Sequence, residues 1–238
     1  MLSVKPWRAQ AVLFFIAAQS LCVLIGGMAI DLLQKAGVSG FKSLDDFGCI
    51  LVVTLSFQGA TWVLMGFFLR YHHVDWREEL GFKNKNLLRS LLLTLALVVV
   101  ILPAAFALQS VSLALMNKIG WTPKDEMAVT LLTNAPTPTA HIYLVLFAVV
   151  LAPVAEEFIF RGVLFPFLKQ LGMLRTAWIG LNLFFAFIHG DAAIFLPLFA
   201  LSVALTWLYE KTDNLLAPML AHALFNAINL VVLKFATQ

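Results

Sequence analysis

The stretch APVAEEFIFRG at residues 152–162 sets Glu156, Glu157 and Arg161 inside an otherwise apolar run. Two further polar groups follow in equally apolar surroundings: His189 in FFAFIHG, and His222 with Asn226 in LAHALFN. A free carboxylate, two imidazoles and an amide are the parts needed to activate a water molecule and steady an oxyanion. A charge at a bilayer centre costs roughly 2.5–3.5 kcal/mol even on lenient insertion scales, so such residues face partners or a wet cavity.

Helical spacing sorts these groups. Glu157 and Arg161 are four residues apart and lie on one face, where they can pair. Glu156 is turned about 100° round the axis and is left free. Pro153 lacks an N–H and disturbs the turn before it, which frees a carbonyl near Glu156. His222 and Asn226 are again four apart, and Phe185 lies one turn before His189, where its ring can hold the imidazole. Taken singly, each of these polar residues is of the kind that glues membrane helices together by hydrogen bonding, and Glu157 with Arg161 reads as a packing pair. Together they supply a hydrolytic set.

The elements that must position this set are transmembrane helices. Of the 238 residues 61% are hydrophobic and 12% charged, a composition outside the soluble range. Apolar runs near 9–30, 46–69, 88–116, 141–168, 174–190, 192–209 and 214–235 predict an all-α polytopic bundle of about seven spans. No linker or repeat divides the chain, so a single integral membrane domain over 1–238 is expected, with the N-terminal run an uncleaved first helix.

The net charge of +3 does not argue for a nucleic-acid partner, because Lys and Arg in such chains mainly set orientation. The connection holding Arg70, Arg77, Lys83, Lys85 and Arg89 predicts a cytoplasmic loop, and with it a cytoplasmic N-terminus near Lys5 and Arg8. Lys35, Lys42, Lys118, Lys124 and Lys234 fall on the other side. The expected setting is a bacterial cytoplasmic (inner) membrane. Thr122, Pro123, Asp125 and Glu126 predict a short surface helix after the third span.

Other polar residues read as structural. Cys22 and Cys49 have no paired or metal-type spacing. His72 and His73 are expected to be solvated, Asp191 to cap a helix, and Gln19, Gln58 and Gln109 to bond between helices. No HExxH, GxSxG or glycine-rich phosphate loop occurs.

With these residues in view, EEFIFR matches an EExxxR motif, the segment from Phe185 to His189 an FxxxH motif, and HALFN an HxxxN motif. Their order and spacing resemble the CPBP family of intramembrane proteases, the CAAX-protease and bacteriocin-processing group, over about residues 141–230. The resemblance implies an endopeptidase acting on a peptide or protein substrate at or within the lipid bilayer. It makes Glu156 similar to the water-activating glutamate, Glu157 and Arg161 to the supporting pair, and His189, His222 and Asn226 to the remaining site residues.

Two chemistries fit. In one, Glu156 is a general base and His222, Asn226 or His189 stabilises the oxyanion, with no cofactor. In the other, His189, His222 and Glu156 hold zinc and an open position takes water. Burial of a carboxylate in an apolar bundle raises its pKa toward the range useful to a base, which favours the first. Either version requires IHGDAA to be drawn inward, because His189 closes its run while Glu156 lies mid-run. The rival functions are a proton-coupled transporter, for which paired broken helices in two similar halves are missing, and a scaffold or immunity-type protein of the same fold that needs no catalysis.

Overall fold

The computed structural model describes residues 5–43, 46–81, 86–121 and 137–236. Among the described residues every regular element is a helix, and each of the seven apolar runs has become one. In chain order they are α1 (Ala9–Lys35), α2 (Phe47–Tyr71), a single turn α3 (Trp76–Glu79), α4 (Leu87–Lys118), α5 (Pro138–Gln170), α6 (Thr176–Ile188), α7 (Phe195–Thr212) and α8 (Leu216–Ala236). The all-α polytopic bundle expected from composition is the observed class.

The runs differ in reach. α1, α2, α4 and α5 are long and apolar enough to cross a membrane. At ~1.5 Å per residue α1 extends about 40 Å, beyond the ~30 Å hydrocarbon core, whereas α6 reaches only about 20 Å. Thus the seven expected spans divide into four helices long and apolar enough to cross and three shorter helices. The helix expected around Thr122–Glu126 lies outside the described residues.

Local chemistry accounts for the element that carries the glutamates. Thr137 accepts the Ala140 N–H at 3.1 Å and Pro138 takes the first helical position, so α5 starts at that point. Its hydrogen bonding then widens twice into π-type turns, at Phe147–Leu151 and Phe158–Leu164, on either side of the glutamate pair. Such turns leave carbonyls without a helical partner and re-aim side chains.

Leu13, Phe14 and Met28 of α1 and Leu88, Val99 and Val100 of α4 point outward, where lipid tails meet them at no cost. Inside lie two apolar cores. One joins α1, α2, α5 and α7 through Phe15, Phe68, Phe158 and Tyr209. The other joins α4, α7 and α8 through Ile101, Leu205, Ala221 and Phe225. α7 belongs to both, and its Leu201, Leu205, Leu208 and Tyr209 are wholly buried.

The chain before α1 and the connection after α2 meet at one end of the bundle. The Trp7 Nε1–H donates to the Gly162 carbonyl at 2.8 Å, a carbonyl within the second π turn of α5. Lys5 pairs with the buried Glu79 at 2.8 Å. His72 corrects the expectation of a solvated side chain. It is half-buried, its Nδ1–H donates to the Phe68 carbonyl at 2.8 Å, and its Nε2 accepts the Arg8 N–H at 3.0 Å. Burial lowers its pKa below the ordinary imidazole value, which keeps Nε2 available as an acceptor. Gln19 does bond between helices, donating to the Phe57 carbonyl and accepting from Thr61.

Candidate active site

On α5 the two glutamates have separate environments. The Glu157 side chain is fully buried, whereas that of Glu156 retains 15% exposure and lines a cavity. The Glu157 Oε1 accepts from Arg161 Nη1 at 3.0 Å, the pairing that the four-residue spacing predicts. Arg161 is held on its other edges: Nη2 donates to the Ser202 carbonyl at 2.8 Å and to the Ser202 hydroxyl at 2.7 Å, and Nε to Thr206 Oγ1 at 3.4 Å. Asn182 of α6 accepts from both hydroxyls, at 2.7 Å from Ser202 and 2.9 Å from Thr206. The Arg161 guanidinium also lies 5.1 Å over the Phe185 ring. A buried ion pair is tolerable only with its remaining hydrogen-bonding capacity met, and these partners meet that of the arginine.

Asn182, Ser202 and Thr206 carry no motif, and sequence reasoning passed over them. Two signals were present: Asn182 lies two turns before His189 on the same helical face, and Ser202 and Thr206 are four apart in an apolar run.

His222 of α8 joins the two glutamates. Its Nδ1 is 3.0 Å from Glu157 Oε1 and its Nε2 3.9 Å from Glu156 Oε2. A carboxylate can only accept, so Nδ1 carries the hydrogen and Nε2 is the nitrogen presented to Glu156. His189 has a parallel constraint. Its Nδ1 donates to the Phe185 carbonyl at 2.7 Å, and the Phe185 ring stands 4.9 Å from the imidazole, so Nε2 is again the free nitrogen. Phe185, wholly buried, also touches the His222 ring, at 5.9 Å.

Asn226 explains the proline. In a π-type turn the Ala148 carbonyl would take its hydrogen bond from residue 153, and Pro153 has no N–H to give. The Asn226 Nδ2 donates to that carbonyl at 2.8 Å and ties α8 to α5.

Glu156, His189, His222 and Asn226 line one cavity of about 240 Å³ between α4, α5, α7 and α8. Glu157 and Arg161 sit behind its wall. The segment IHGDAA is not drawn inward as a whole, since Ile188, His189, Gly190 and Ala192 are exposed; instead α6 is short and Gly190, at φ +70, turns the chain toward α7. His189 and Ile194 both reach the cavity as a result. Asp191 caps a turn, accepting the Ala193 N–H at 2.8 Å, and does not line the cavity. Gln109, expected as an interhelical bonder, lines it together with Asn229.

Catalytic zinc takes three protein ligands converging at about 2 Å from one point. Among the described residues no group of three His, Cys, Asp or Glu side chains is gathered closely enough to hold a metal ion. Glu156, His189 and His222 share the cavity without forming a ready ligand set.

The stretch from Pro138 onward, with its glutamate pair, its Phe185–His189 turn and its His222–Asn226 turn, is what comparison with known proteins picks out. Residues 138–228 match the type II CAAX prenyl endopeptidase Rce1-like family. The Rce1-like segment begins where α5 begins and ends within α8, so it contains every motif residue and leaves out α1 to α4. It bears out the likeness to intramembrane CAAX-type proteases read from the motifs. The UPF0177 protein YaiF of Lactococcus lactis subsp. lactis (strain IL1403) is 36% identical over 83 residues, which is 33% of this chain and 35% of that protein. The chain thus spans about a third of the length of that relative. No solved structure matches.

Proposed function

We propose that this protein is an intramembrane endopeptidase in which Glu156 activates water. The observation that carries the reading is the approach of Glu156 Oε2 to His222 Nε2, 3.9 Å, on the wall of a cavity that His189 and Asn226 also line. A water molecule fits between such groups and can touch both. Glu156 takes a proton from that water as the oxygen attacks the scissile carbonyl. The oxyanion is met by the second N–H of Asn226, whose first is held by Ala148. Protonated Glu156 then delivers its proton to the leaving amine, and the peptide C–N bond breaks. Glu157, anchored by Arg161, fixes the His222 ring so that Nε2 faces the reaction.

The proposed placement in the membrane follows the cations. Among the described residues Lys5, Arg8, Arg70, Arg77, Arg89, Lys169, Arg175 and Lys211 collect at the end where α2 and α5 finish, against Lys35, Lys42, Lys118 and Lys234 at the other. The first end is cytoplasmic by the charge rule. The cavity extends from the middle of α5 toward the opposite end.

The test is purified protein in lipid nanodiscs with a fluorogenic peptide library, as the native chain and as Glu156→Gln, with and without chelator. Cleavage that is lost in Glu156→Gln and indifferent to chelator supports the reading. Cleavage abolished by chelator and restored by zinc replaces it with the metal version, and biological function retained by Glu156→Gln favours a scaffold.

A further inference from the structure

Two amides in the cavity have no task in the scheme above. Gln109 of α4 and Asn229 of α8 both line it and both are half-buried. Among the described residues neither makes a hydrogen bond, in contrast to Asn226 on Ala148 and Gln19 on Phe57. Membrane helices ordinarily pair such amides with one another, whereas these two reach the open space of the cavity. Gln109 and Asn229 come from two helices that pack on each other beside the site, and both side chains line its open space.

A side-chain amide carries one acceptor and a two-hydrogen donor, the complement of a peptide unit's N–H and C=O. The rest of this wall is apolar: Phe106, Ile194, Leu198, Leu230 and Val232. Apart from Glu156 it presents no carboxylate, and it presents neither lysine nor arginine. The size is equally restrictive. A helix with its side chains is about 10 Å across, whereas about 240 Å³ holds only a short piece of chain. A substrate helix must be unwound at this point, and an unwound segment exposes the backbone groups that two free amides can satisfy.

We infer that Gln109 and Asn229 clamp the backbone of an unwound peptide segment beside Glu156. The inference rests on the hydrolytic reading only in placing that segment at a bond to be cleaved, and the binding it describes does not depend on hydrolysis. The clamp residues bind substrate and take no part in proton transfer.

The experiment uses the full chain in nanodiscs and a short fluorescent Ala–Leu peptide. In a Glu156→Gln background, which cannot turn the peptide over, Gln109→Met and Asn229→Leu should each weaken peptide binding about tenfold, the worth of one lost polar contact. In the active protein the same changes should raise KM with kcat held within about twofold, the mark of uniform binding. N-methylation of a single peptide nitrogen should weaken binding to the native protein and cost much less in whichever variant lacks its partner. Thermal unfolding of each variant reports whether it has folded, and Gln109→Asn offers a shorter amide where Gln109→Met does not fold. Unchanged binding in both variants, or an N-methylation penalty identical in all forms, overturns the clamp. Binding that depends on Gln109 in a protein that cleaves no peptide keeps the clamp and removes the protease; absence of binding by native protein and Glu156→Gln alike removes the clamp.

Discussion

His222 Nδ1 donates to Glu157 Oε1 across 3.0 Å, a contact between residues 65 apart in the chain. This bond decides which imidazole nitrogen faces Glu156. The two glutamates should therefore fail differently. Glu156→Gln removes the base and is expected to lower kcat by about 10²–10⁴-fold. Glu157→Gln leaves the base in place but weakens the hold on the ring, with an expected loss of about 10–100-fold. The double variant should be little worse than Glu156→Gln alone, as steady-state kinetics on the same peptide would show.

Arg161 bonds Glu157 Oε1, Ser202 and Thr206 together, while Glu157 Oε2 stays buried without a partner. Arg161→Met strands a buried carboxylate and should destabilise the protein by about 3–5 kcal/mol, read as a lower unfolding midpoint in detergent. Arg161→Lys should rescue little, because an ammonium lacks the planar fork that reaches all three. A midpoint unchanged in Arg161→Met would mean that the pair contributes nothing to packing.

The Asn226–Ala148 bond should be conditional on Pro153. Asn226→Leu leaves the carbonyl bare and is expected to cost about 1 kcal/mol. Pro153→Ala restores a backbone N–H, and in that background the same change should cost much less. A double-mutant cycle on thermal stability measures the difference, and strict additivity would refute the link.

Glu79 provides a pH dependence away from the site. Burial is the main cause that lifts its pKa from an ordinary 4.5 to about 7, against the pull of Lys5 and with help from Asp213 and Glu78. Between those values the folded protein holds a proton that the unfolded chain has released, so stability from this carboxyl is greatest below 4.5 and declines as pH rises through about 7. The full swing is on the order of 3 kcal/mol. Glu79→Gln should flatten that part of the stability profile, and Lys5→Met should steepen it. A profile identical in native protein and Glu79→Gln would show that the carboxyl does not titrate there.

Orientation can be tested directly. Single cysteines placed at Arg77 and at Lys35, in a chain with Cys22 and Cys49 replaced by Ala, should react with a membrane-impermeant maleimide from opposite sides of intact cells. Labelling of the Lys35 position alone from outside is the expected result; labelling of the Arg77 position from outside would invert the topology.

Much of this architecture is readable from residue types alone. Seven apolar runs became seven helices because, in lipid, backbone groups have no solvent partner and must bond within their own segment. Glu157 and Arg161 pair because helical pitch brings residues four apart together whatever surrounds them. The motif residues were also identifiable, since apolar runs make each charge conspicuous.

What local spacing leaves open is depth and rotation. His72 reads as a loop histidine until α1 is packed beside it, and Gln109 reads like Gln19 until the neighbouring helices leave it unpaired. Whether α6 crosses the membrane or stops inside the bundle depends on Gly190 and on what α7 packs against, not on the hydropathy of its own residues. The order of residues alone determined which segments enter the membrane and which charges must find partners there. Tertiary structure alone decided that His222 bridges both glutamates and that the Asn182, Ser202 and Thr206 side chains brace Arg161, because these contacts join helices whose relative rotation is set by packing across the whole bundle.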